Sequence, residues 1–228
     1  MKSWCIGAPS ARFVAKMEDV LEVYHRPYDP AHPVVCLDER SKALRATPRG
    51  GLPPRSGVCR REDYEYERNG VCNIFLWVEP LAGRRQVQVT DRRTGVDFAE
   101  QLRELVDVAY PTAERIVLVT DNLNTHSPYA LYERYPPGEA RRIVEKLEWH
   151  YTPEHGSWLN MAEVELSALS RQCLCRRMNN QQTVMREAVI WQQQRNQAQT
   201  KVNWQFTTAD ARIKLKRLYP ILLHEYVY

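Results

Sequence analysis

The chain has 228 residues, 43% of them hydrophobic, which is enough for one well-buried domain with a small appendage and too much to depend on disulfide staples. Its net charge of +4 is unevenly placed: Arg40 to Arg61 carries seven Lys/Arg and no acid, and Arg171 to Tyr228 carries ten against three acids. Basic charge gathered in this way suits a nucleic-acid surface, whereas merely solvated faces would scatter it. No segment approaches the ~20 apolar residues of a membrane span. The six cysteines, at positions 5, 36, 59, 72, 173 and 175, form no CxxC pair and follow no apolar leader, so reduced thiols in a cytoplasm are expected. Cys173 and Cys175 lack the rest of a zinc spacing and read as small packing residues.

In chain order, Phe13, Val14, Met17, Val20, Leu21 and Tyr24 recur at helical spacing between Ser10 and Pro27, predicting an amphipathic helix. Residues 1–30 are accordingly assigned to a linker helix ahead of the core. Val34-Val35-Cys36-Leu37 fits a strand buried on both faces, with Asp38 at its end. The prolines and glycines between Arg40 and Asn69 predict a long basic loop. Two strands follow, Val71 to Val78 and Gln86 to Thr90, joined through Pro80 and Gly83 as a hairpin. Thr94 and Asp97 resemble a capping box opening a helix through Phe98, Leu102, Leu105, Val106 and Ala109, which Pro111 ends. Ile116 to Thr120 is a second buried strand ending in an acid, Asp121. Helical pieces flank Pro136-Pro137-Gly138, Leu147 to Tyr151 alternates as a strand, and a helix beginning near Asn160 carries Glu163 in its first turn. This order describes a mixed α/β domain over residues 31–180, with a C-terminal helical extension over 181–228.

Acids at two buried strand ends and in the following helix can converge on one point, because sites in open α/β sheets gather at the carboxyl ends of strands. Carboxylates clustered without a counter-charge repel one another, so the cluster makes sense as a cation site. Two divalent ions about 4 Å apart would activate a water or hydroxyl and stabilise the leaving oxygen of a phosphodiester. Each acid also has a structural reading. Asp38 and Asp121 can start loops or cap helices, and Glu163, three residues after Asn160, can close a capping box.

The run Asp121-Asn122-Leu123-Asn124-Thr125-His126, with Trp149 to Glu163 (WHYTPEHGSWLNMAE), closely resembles the insertion-sequence-630 transposases, bacterial relatives of the mariner superfamily. Glu18 to Tyr24, Asp63 to Gly70, Leu169 to Leu174 and Phe206 to Pro220 share the likeness, so nearly the whole chain is covered. The resemblance implies an RNase H-like mixed five-stranded sheet flanked by helices, with Asp38, Asp121 and Glu163 as the catalytic, metal-holding triad. It implies a pair of Mg²⁺ ions, replaceable by Mn²⁺, as cofactor, and DNA cleavage with strand transfer at transposon ends by a homodimer on DNA. Asn122 and His126 would support the acids or contact DNA. Arg40, Lys42, Arg45, Arg49, Arg55, Arg171, Arg176 and Arg177 would meet phosphates in sequence-blind binding. Glu165, about 200° further around the helix than Glu163, cannot aim at the same ion and is expected to be an inert control. Glu39 is excluded too, because successive strand side chains face opposite ways.

Three features depart from that pattern. Arg40 follows Asp38-Glu39 where relatives often carry a small hydroxyl residue, which sets a cation beside the acids. Asp121 and Glu163 are separated by 41 residues, a wide gap that a helical segment around Pro136 to Lys146 would absorb. Residues 1–30 have room for a linker helix and none for the family's helix-turn-helix reader. The last point leaves a rival reading, a truncated, non-transposing remnant that acts as a DNA-binding or partner-binding regulator.

Overall fold

The computed structural model describes residues 9–49, 53–59, 61 and 64–220; Cys5, Asp63 and Tyr228, named above, lie outside them, as do the outer ends of the segments 1–30 and 181–228. In chain order the elements are α1 (Ala11–Tyr24), β1 (Val34–Ala46), β2 (Glu67–Glu79), β3 (Arg84–Thr90) and α2 (Gly95–Glu104), which runs into a π-turn at Leu105–Ala109. Then come β4 (Ile116–Thr120), α3 (Tyr129–Arg134), α4 (Pro137–Glu145), β5 (Leu147–Tyr151), α5 (Met161–Gln172), α6 (Gln181–Gln197) and α7 (Thr208–Lys214).

The strands form one mixed sheet in the order β3-β2-β1-β4-β5, antiparallel across β3-β2-β1 and parallel across β1-β4-β5. Strand alternation sorts the side chains into two cores. Cys36, Ile74, Leu76, Val117 and Val119 face α1, α5 and α6, whereas Val35, Leu37, Phe75, Trp77, Ile116 and Leu118 face α2, α3 and α4. Helix α1 is part of the first core: Met17, Val20 and Leu21 are completely buried there. The hairpin glycine is required by its backbone, since Gly83 has φ +70° and a Cβ there would meet the Gln199 carbonyl at 2.8 Å.

The predicted capping box is present, with Thr94 accepting from Asp97 N–H while Asp97 accepts from Thr94 N–H. β5 has its expected bounds, and α4 occupies the segment expected to absorb the wide gap, with α3 just ahead of it. The sequence reading of β1 needs correction. Asp38 lies inside that strand, which continues to Ala46 and pairs with a β2 that begins at Glu67. Arg40, Lys42 and Arg45 are thus strand residues, and the loop shrinks to residues 47–66. Their polarity hid the strand from a search for apolar runs. Beyond Cys36 no β4 residue pairs with β1, so this half of the strand need not be apolar on both faces.

Candidate active site

Cys36 of β1 pairs with Val119 of β4, and two residues further along each chain stand Asp38 and Asp121. Asp38 shares the face of Cys36, the one covered by α5, the helix that carries Glu163, and Asp121, the first residue after β4, is near enough for its charge to act on Asp38. Asp38 is buried, and burial followed by the charge of Asp121 pushes its carboxyl up to about 7. Asn160 steadies it: the Asn160 side chain caps α5 by accepting from Ala162 N–H, while its Nδ2 donates to Asp38 Oδ2 at 3.1 Å and to the Leu37 carbonyl at 3.3 Å. The sequence marked Asn160 only as a helix cap; its second contact, 122 positions away, had no local signal.

Asp121 is held from the other side. His126, almost fully buried and stacked on Phe98 with ring centroids 4.4 Å apart, sets Nδ1 2.5 Å from Asp121 Oδ1. Burial alone would raise the Asp121 carboxyl, yet the His126 contact, the Leu123 N–H and the charge of Arg93 together bring the group below its ordinary value. Burial likewise opposes a charge on His126, but the contacts with the Asp121 and Glu39 carboxylates carry the imidazole up to about 9. Asn122 is elsewhere engaged, accepting at 2.9 Å from Lys16 of α1.

Glu163 sits half-exposed in the first turn of α5, with Oε1 3.7 Å from Arg40 Nη2. Arg40 reaches it because it shares a strand face with Asp38, and its Nη1 also donates to Ser170 Oγ at 3.3 Å. The structural reading of Glu163 as the far half of a capping box is not realised, since Asn160 caps Ala162 and Glu163 turns to Arg40. Among the described residues no three Asp, Glu, His or Cys side chains are gathered closely enough to hold an ion. The two strand acids are thus brought together, and the helix acid is drawn aside by a guanidinium.

The predicted phosphate-meeting residues differ in what they touch. Lys42 Nζ donates to the Leu174 carbonyl at 2.5 Å and to the Arg176 carbonyl at 3.1 Å, tying β1 to the segment that follows α5. Arg45 and Arg177 lie over the Tyr66 ring at 4.6 and 5.6 Å. Arg49 pairs with Glu65 and Arg176 with Glu187, while Arg55 and Arg171 are exposed. Glu165 corrects a second expectation. It points away from Glu163 as the helix period requires, but into the first core, where Arg85 and Arg195 approach it at 3.0 and 2.8 Å. It is therefore no inert control.

Residues 33–185 match the family model described as DDE superfamily endonuclease. The chain belongs to this family. Among solved structures, the mariner Mos1 paired-end complex with Mn matches with a TM-score of 0.55 at 15% identity, over 96% of this chain and 65% of that one. The complex with Mg matches with a TM-score of 0.57 at 14% identity, over 97% and 67%. The likeness is one of fold, RNase H-like, and the chain spans about two thirds of those proteins' length. No curated protein matches the sequence. Within a DDE superfamily endonuclease the donor chemistry fits a hard divalent cation: Asp38 and Asp121 offer carboxylate oxygens close enough to repel, burial and that repulsion leave Asp38 short of counter-charge, and Glu163 is tied by an open ion pair. The five described cysteines are all free, and no helix among the described residues is long and apolar enough to cross a membrane.

Proposed function

We propose that the chain is the catalytic domain of a mariner-related transposase of the insertion-sequence-630 kind, cutting DNA at transposon ends and joining the freed 3′ hydroxyl to target DNA. The observation that carries this reading is Asp38 on β1 beside Asp121 just past the neighbouring parallel β4, with Glu163 in the first turn of the helix that covers the Asp38 face. These three acids would hold two Mg²⁺ or Mn²⁺ ions. Bound ions supply an activated water or hydroxyl and a counter-charge for the leaving oxygen. Asn160 fixes the Asp38 carboxylate and His126 that of Asp121, so both are oriented before substrate arrives. Arg40, once Glu163 leaves it, is placed to meet a DNA phosphate with its forked donors. Arg55 and Arg171, with the basic residues around them, would neutralise phosphates along the duplex.

A supercoiled-plasmid nicking and strand-transfer assay with Mg²⁺ or Mn²⁺ tests the reading. Nicking followed by joining of a transposon-end oligonucleotide is expected. DNA binding with neither step would leave the regulatory remnant as the better account, and nicking without joining a general nuclease. Binding should be weak, in the ~10⁻⁴ to 10⁻⁶ M range at physiological salt, and should fall steeply as salt rises. Tight binding to one sequence at high salt would contradict it.

Arg40 gives a test with two opposite signs. An exposed ion pair is worth about 0 to 1 kcal/mol, so Arg40→Gln should tighten Mn²⁺ binding by up to about five-fold in the DNA-free protein. The same change should weaken DNA binding and lower its salt slope by about one. Calorimetric Mn²⁺ titration and fluorescence anisotropy at several salt concentrations read the two effects. Weakening of both would show that Arg40 supports the acids and does not compete for Glu163.

A further inference from the structure

Strand alternation turns Glu39, the residue after the first acid, away from the side of the sheet that Asp38 faces. It enters the opposite core, where it meets His126. The Glu39 side chain is 3% exposed; its Oε2 lies 2.7 Å from His126 Nε2, and its Oε1 lies 3.4 Å from Arg93 Nη1. Glu39 Oε2 is buried with no hydrogen bond of good geometry among the described residues, so the imidazole edge supplies its charge contact. The far edge of that imidazole is the one on Asp121, and Thr120 Oγ1, at 3.3 Å from Nδ1, closes the pocket around it. Phe98 stacked on the ring fixes its plane. The ring can therefore move only if both carboxylates move with it.

We infer that Glu39 is a positioning residue that sets the Asp121 carboxylate through His126. Neighbouring residues of one strand then serve one site by opposite routes. Asp38 points at it, and Glu39 reaches it from behind, across the sheet and through a histidine. The inference rests on the reading of Asp121 as a metal ligand, and supports of this kind commonly govern metal affinity.

Mn²⁺ affinity of the DNA-free chain, measured by calorimetric titration alongside metal-free melting curves, tests it. Glu39→Asp keeps the charge but draws the carboxylate back from Nε2, and is expected to weaken Mn²⁺ binding about ten-fold. Glu39→Gln gives up the charge but keeps an oxygen at the original reach, and should lose much less. A charge acting through space predicts the reverse order. In a His126→Asn background the amide can still donate to Asp121 but cannot reach Glu39, so Glu39→Asp should cause no further loss. Equal losses with and without His126, or a larger loss from Gln than from Asp, would overturn the inference and leave the metal reading standing. A parent chain that binds no Mn²⁺ would overturn both. Should Glu39→Asp fail to fold, Arg93→Ala carries the same comparison by loosening Glu39 from its exposed end. Weakening that requires His126 supports the inference, and tightened or unchanged binding refutes it.

Discussion

Asp121→Asn should cut plasmid nicking by about three decades, because a carboxylate that anchors a divalent ion is worth several kcal/mol in the transition state. Asparagine keeps the shape and can still receive the Leu123 N–H that Asp121 Oδ1 accepts at 3.1 Å, so folding should survive. Asp38→Asn and Glu163→Gln should lose activity alike, and in all three the rise in melting temperature that Mn²⁺ gives the parent should shrink or vanish. Asp38 adds a pH effect. Its carboxyl is raised to about 7 in the folded chain, above its unfolded value, so its contribution to metal-free stability is present below pH ~4 and is withdrawn as the pH climbs through about 7. Asp38→Asn should flatten that slope and leave the metal-free protein more stable at pH 8. Cleavage undiminished in Asp121→Asn would mean that the ion-holding acids are others.

Glu165→Gln should destabilise the metal-free protein by about 3 to 5 kcal/mol, the usual cost of breaking a buried ion pair from one side. Arg85 has a fully buried guanidinium, and removing the carboxylate leaves it with the Asn196 side chain and the Thr200 carbonyl as neutral partners. Replacing Arg85 and Glu165 together by methionine and leucine should recover much of that loss, since the penalty lies in the orphaned charge. Denaturant unfolding without metal reads both. A Glu165→Gln protein as stable as the parent would mean that the triad is worth no more than a surface pair. Activity lost only in proportion to the unfolded fraction would confirm that Glu165 acts on the fold and not on the chemistry.

Segments whose evidence is local were legible in the sequence. β4 and β5 declare themselves by composition and alternation, α2 by its cap, and α1 by a helical stripe. What escaped depends on partners far along the chain. The second half of β1 is a strand because β2 pairs with it, although Arg40, Ser41 and Lys42 look like loop residues. The role of Glu165 is set by Arg85 and Arg195, 80 and 30 positions away, and no helical period distinguishes an acid that faces solvent from one that faces buried arginines. Of the candidate site, Asp121 after a strand and Glu163 at a helix start lie where the sequence reading had them, whereas Asp38 lies within β1 and the contacts that hold these acids were only partly legible. His126 was marked by its place after Asp121, but its link to Glu39 spans 87 positions and crosses the sheet.

The division of labour between Asp38 and Glu39 makes β1 unusually intolerant of changes in length. A residue inserted or deleted between Pro33 and Asp38 would exchange the two faces of the strand, sending the shorter acid into the Phe98 core and the longer one toward α5. Both side chains would remain carboxylates, so a substitution matrix would score the two alignments nearly alike. The molecule would not, because aspartate lacks the reach to His126 and glutamate would overfill the space at Asn160. Length variation in this chain should therefore be tolerated in the 47–66 connection and purged from the few residues that precede the first acid.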